Sequence, residues 1–166
     1  MGIAISLSIG CSSMNIKSEY DDSLSMASYH SYAWGKSQTQ SPITNEMIRS
    51  SISSELVQRG YKQAKIRKKA DLIVNYRSFF SQKVASNDLE FAFGQQPGVA
   101  EGYGGEAPAA FPYEEAEFDL TLVDSRTGKV IWQSSGTRVL QYDDVSRDQV
   151  ADAIARIFDH FPIEKS

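Results

Sequence analysis

Residues 115–123 read EAEFDLTLV. Ala116, Phe118, Leu120 and Leu122 alternate there with Glu115, Glu117, Asp119 and Thr121. Successive side chains of an extended chain point to opposite faces, so this run predicts a strand with one face in the core and the other in water, the usual pattern of an antiparallel sheet. Residues 124–129, DSRTGK, supply a short Gly-containing hairpin connection. The chain then returns as a strand over 130–142, with Trp132 at its apolar end. Working outward, Leu72, Val74, Tyr76 and Phe80 alternate with Asp71, Asn75, Arg77 and Ser81, which predicts a long half-buried strand over 71–83. The aromatic run 29–34, YHSYAW, predicts a shorter strand with His30, Tyr32 and Trp34 on one face.

Two helices complete the pattern. Ser41-Pro42 opens the first, because Ser caps and Pro is tolerated at the first helical position. Ile48, Ile52 and Leu56 recur every four residues, Ile43 and Met47 extend the stripe, and Gly60 stops it. In the second, Ser146-x-x-Gln149 forms a capping box and Val145 faces Val150 as a staple. Val150, Ala153, Ile154, Ile157, Phe158 and Phe161 continue its apolar stripe up to Pro162. The order β-α-β-β-β-α predicts a single α+β domain over 26–163: a mainly antiparallel sheet of about four strands with two helices packed on one face. With 166 residues, 41% of them hydrophobic, the chain is long enough to remove roughly 70% of its unfolded surface from water.

The first ten residues, MGIAISLSIG, are small, apolar or hydroxylated, and they end at the only cysteine, Cys11. That is the layout of a bacterial lipoprotein signal, with Gly10 as the residue before the cleavage and Cys11 as the lipid attachment. Two features depart from the pattern. Ser8 stands where Leu is preferred, and no Lys or Arg precedes the apolar run, so the start is expected upstream or the chain shortened. The competing reading makes Cys11 a small hydrophobe on a buried N-terminal strand. The polar stretch 12–25 reads as a tether and favours lipidation. One acyl chain holds only marginally, and a lipoprotein Cys carries more than one. Ser12, rather than Asp, after the Cys favours the outer membrane by analogy with lipoprotein sorting. No apolar run approaches the roughly 18 residues of a spanning helix.

A net charge of −4 and a pI near 5.2 argue against a nucleic-acid partner, whose footprint is a basic surface. One Cys and two His make a Cys/His zinc site very hard to assemble. Residues 102–107, GYGGEA, formally match a dinucleotide fingerprint, but no strand precedes them and Pro108 follows, so no cofactor is expected. Paired carboxylates occur at Glu114-Glu115 and Asp143-Asp144. Catalysis would require two of them facing each other with one desolvated. His30 and His160 have no accompanying nucleophile motif and read as structural. The basic run 62–69, KQAKIRKK, suits a solvated helix-to-strand connection, or contact with anionic lipid headgroups or a cell-wall polymer. Residues 86–113 break every period and hold five Gly and three Pro. A loop of that length in a compact domain is functional or mobile. Its aromatics, Phe91, Phe93, Tyr103, Phe111 and Tyr113, either fold back or form a binding loop.

Tyr20-Asp21, Tyr29-x-x-Tyr32-Ala33-Trp34, Arg59-Gly60-Tyr61, Ala70-Asp71-Leu72, the hairpin from Asp124 through Gly128-Lys129-x-x-Trp132, and the Phe161-Pro162 end occur in that order. Over about residues 15–163 the chain thereby resembles a family of small bacterial envelope lipoproteins known only by a domain-of-unknown-function label. Ser134 replaces the second Gly of that family's Trp-x-Gly. The resemblance implies a lipid-anchored, periplasm-facing α+β domain and brings no catalytic residues with it. The expected function is a non-enzymatic binding or assembly module, membrane-held through Cys11, whose partner is an envelope protein or a cell-wall polymer. The alternative is a hydrolase acting on an envelope polymer through Asp or Glu side chains.

Overall fold

The computed structural model describes residues 14–85, 111–140 and 146–162. Six strands and two helices follow in the order β1 (Asn15–Tyr20), β2 (Ser31–Gln38), α1 (Pro42–Gln58), β3 (Lys62–Gln63), β4 (Leu72–Ala85), β5 (Phe111–Asp124), β6 (Val130–Leu140) and α2 (Arg147–Phe158). They form one sheet in the order β1-β6-β5-β4-β2-β3. The α+β class stands, but the sheet has six strands rather than about four, and it is mixed rather than mainly antiparallel. β1, β6, β5 and β4 pair antiparallel, whereas β2 runs parallel to both β4 and β3. The parallel pairing follows from α1: a helix laid back along the sheet returns the chain to the end from which β2 started, so the next strand runs the same way.

β1 corrects a second expectation. Residues 15–20, read as part of a tether, form an edge strand in register with β6 from Asn15↔Thr137 to Tyr20↔Trp132. The strand is polar on both faces, and only Met14 and Ile16 pack against the core. Met14 seats over Gly136, where any Cβ would collide with its methyl group. The folded domain therefore includes residues 14–20, ahead of the expected start at 26.

The buried face of the sheet carries Tyr32, Leu72, Val74, Tyr76, Phe118, Leu120, Leu122 and Trp132. Both helices cover this face with the predicted stripes, Ile48, Ile52 and Leu56 from α1 and Val150, Ile154, Ile157 and Phe158 from α2. Both predicted caps are present. The Ser41 hydroxyl accepts from the Thr44 N–H, and Ser146 and Gln149 make a reciprocal capping box. Val145, the other half of the predicted staple, lies outside the described residues.

Candidate functional site

Because both helices lie on one side, no element among the described residues forms a layer over the other face of the sheet. In-register pairing sets its side chains in rows across the strands. One row is Lys17, Ser135, Asp119 and Arg77, with Gln38 paired to Arg77 on β2. The next is Glu19, Gln133, Thr121 and Asn75. Strands lie about 4.8 Å apart, so a row across five of them spans about 19 Å. At the centre of the first Arg77 Nε donates to Asp119 Oδ2 at 2.6 Å, and at the β1 edge of the second Gln133 Nε2 donates to Glu19 Oε2 at 2.9 Å. Two shallow depressions flank the Arg77–Asp119 pair. One, of about 380 Å³, is lined by Lys17, Glu19, Gln133 and Ser135; the other, of about 500 Å³, by Lys36, Gln38, Asn75 and Thr121. A bulge at Gly35-Lys36 shapes the second. The Lys36 N–H donates to Asn75 Oδ1 at 2.7 Å, and a Cβ on Gly35 would occupy the place of that same oxygen.

The end of the sheet where β4 begins and β5 ends holds a different polar cluster. Asp71 Oδ2 accepts from the backbone N–H groups of His30 and Ser31 and from the Ser31 hydroxyl. Asp124 is 4% exposed; its Oδ1 accepts from the N–H groups of Arg126 and Thr127, and its Oδ2 accepts from the Tyr29 hydroxyl at 2.9 Å. These donors hold both carboxyls below the ordinary range, chiefly the His30 amide for Asp71 and the Thr127 amide for Asp124. A general acid needs the opposite shift. Beside them Arg59 ties the ends of the two helices together. Its guanidinium pairs with Glu55, donates to the Phe158 carbonyl at 3.0 Å and lies over the rings of Phe158 and Phe161.

The predicted outer face of β5 is where the sequence placed it, with Asp119 on the polar side and Phe118, Leu120 and Leu122 buried. Phe111 and Tyr113 belong to β5, opposite Ala85 and Lys83, so they are strand residues and not part of a loop. Phe91, Phe93, Tyr103, Gly10 and Cys11 lie outside the described residues, as does Asp143-Asp144. The two histidines serve through their main chains: the His30 N–H holds Asp71, and the His160 carbonyl accepts from Ser18. The basic run forms β3 and a 3-10 turn, Arg67–Lys69, with its charged side chains exposed. Sequence reasoning missed the contributions of Lys17, Glu19 and Gln133, because the strand pairing that aligns them joins segments up to 122 positions apart. No helix among the described residues is long and apolar enough to cross a membrane.

Several solved structures share this fold. A PDZ domain protein from Parabacteroides distasonis superposes with a TM-score of 0.61 at 14% identity, over 91% of this chain and 36% of its own, so the present chain spans about a third of that protein. A family protein from Bacteroides thetaiotaomicron gives a TM-score of 0.54 at 17% identity, over 88% of this chain and 94% of its own. The PelC dodecamer from Paraburkholderia phytofirmans gives 0.53 at 13% identity, over 88% and 95%. No protein of curated function matches the chain. The model of the family described as "Domain of unknown function (DUF4136)" matches residues 16–163, nearly the whole folded domain, and the chain belongs to that family.

Proposed function

We propose that this protein is a lipid-anchored binding or assembly module of the bacterial cell envelope, held at Cys11 on the periplasmic side of the outer membrane, and that the uncovered sheet face is its working surface. One observation carries the reading: both helices cover the same face, and among the described residues nothing is layered over the in-register rows around Arg77 and Asp119. A broad, shallow, polar face with paired charges suits an extended hydroxyl- and amide-rich partner, a cell-wall polymer or an envelope protein, better than a small substrate that needs enclosure. The shifted carboxyls, Asp71 and Asp124, are held ionised by their own backbone neighbours, which favours binding over the hydrolase alternative.

Blocking the face tests this. Thr121→Trp with Ser135→Trp adds bulk on the outer side and leaves the core residues untouched. The variant should keep its melting temperature and membrane fraction yet fail to restore the envelope phenotype of a gene deletion. Full restoration would remove the face from the account. Hydrolysis of cell-wall material by the purified wild type would replace binding with the enzyme reading.

A further inference from the structure

We infer that the free edge of β1 pairs with β1 of a second copy of this chain, giving a two-fold dimer whose sheet runs unbroken through both protomers. The inference goes beyond the binding reading and does not rest on Cys11.

Among the described residues β1 ends the sheet, with β6 on one side of it only. Its register continues one step past the strand, where the Asp21 N–H donates to the Ile131 carbonyl at 2.9 Å. In an antiparallel ladder the N–H and C=O of one residue point to the same neighbouring strand, and alternate residues point to opposite neighbours. Asp21 faces β6, so Glu19, Lys17 and Asn15 face it too. The backbone groups of Ile16, Ser18 and Tyr20 therefore point out of the sheet, where no described strand meets them. Tyr20 adds an aromatic ring that is 56% exposed beside this edge.

A charged side chain is a common guard on such an edge, and Lys17 and Glu19 are both exposed there. Whether they guard it or join it depends on what they meet. Two copies whose outward groups face each other about a two-fold axis must pair in a register centred on one residue. Centring on Lys17 sets Lys17 against its twin, and centring on Glu19 does the same to Glu19. Centring on Tyr20 sets Glu19 against Asp21, and centring on Ile16 runs Glu19 and Tyr20 past the start of the partner strand. Centring on Ser18 sets Lys17 of each copy against Glu19 of the other, Ile16 against Tyr20 and Asn15 against Asp21. Opposite charges and aromatic–aliphatic pairs stabilise a ladder when directly opposed, and like charges destabilise it, so the Ser18 register is selected. It is also one in which the Ile16, Ser18 and Tyr20 pairs exchange backbone bonds, about six in all.

The pairing needs only one short strand from each copy, and the sheet twist continues across the join. The two-fold axis stands normal to the sheet, so both helical layers lie on one side and both polar faces on the other. Lys17 ends one polar row and Glu19 the next, so each row continues into the second copy.

Sedimentation equilibrium of the purified full-length protein, in detergent matched to the solvent density, tests this. Wild type should form a dimer that weakens as salt rises. Lys17→Glu opposes two acidic residues across the join and Glu19→Lys opposes two basic ones, so each should weaken the dimer about tenfold or more. Mixed one to one, the two variants meet with opposite charges at both positions, and the mixture should recover the wild-type affinity. Both exchanges in one chain should recover it as well. A monomeric wild type would overturn the inference, as it would if the strand of a different protein takes this edge. A dimer that both single variants leave intact would overturn it too, as would two folded single variants that stay apart when mixed.

Discussion

The Tyr29 hydroxyl donates a 2.9 Å hydrogen bond to the buried carboxylate of Asp124, joining residues 95 positions apart. Tyr29 precedes β2 and Asp124 ends β5, so the bond closes the end of the sheet across β4, whose start is tied to β2 by Asp71 in the same manner. Residues that carry the family resemblance, Tyr29, Asp71 and Asp124, thus hold strand ends in place, and the open face lies elsewhere.

Tyr29→Phe removes one donor and leaves Asp124 Oδ2 buried without it. The expected cost is about 1.5–3 kcal/mol, the range for a hydrogen bond to a charged group. Urea unfolding of the variant checks this, and an unchanged midpoint would mean that water replaces the phenol freely.

Asp71 and Asp124 both have folded-state carboxyl pKa values below the ordinary value. A lowered folded pKa contributes stability above the unfolded value of about 3.9, and that contribution is lost as pH falls through the folded value. Stability set by these groups should therefore be level above about pH 5 and decline below about pH 4. Asp124→Asn should lower the neutral plateau and flatten the acid decline. Melting curves across that window decide it.

Trp132 is fully buried, packs against Phe158 and Phe161, and donates from Nε1 to the Ser18 hydroxyl at 2.8 Å. Trp132→Ala should cost about 3–5 kcal/mol through the cavity it leaves. The lost bond to Ser18 should also loosen β1, which amide hydrogen exchange at residues 15–20 would register. A variant as stable as wild type would contradict the core described above.

Much of the fold was legible because its signals are local. The alternation of 115–123, the Ile48, Ile52 and Leu56 stripe and the Ser146–Gln149 box each lie within one element, and each matches the structure. β1 escaped because an edge strand buries little: its sequence NIKSEY has one aliphatic residue, and its partner β6 is more than a hundred residues away. β3 is two exposed residues inside a basic run, which no local pattern marks as a strand. The candidate site was legible at Asp119 and Thr121 on β5 and at Asn75 and Arg77 on the polar side of β4. The rows that extend from them to Lys17 and Glu19 are products of register.

The most direct test of the binding face is site-specific photo-crosslinking in intact cells. A crosslinking residue is placed at Thr121 on the uncovered face or at Val57, which is 57% exposed on α1. The account predicts that Thr121 gives a discrete adduct, to cell-wall material or to an envelope protein, whereas Val57 gives none. Adducts from Val57 with none from Thr121 would contradict it and move the working surface to the helices.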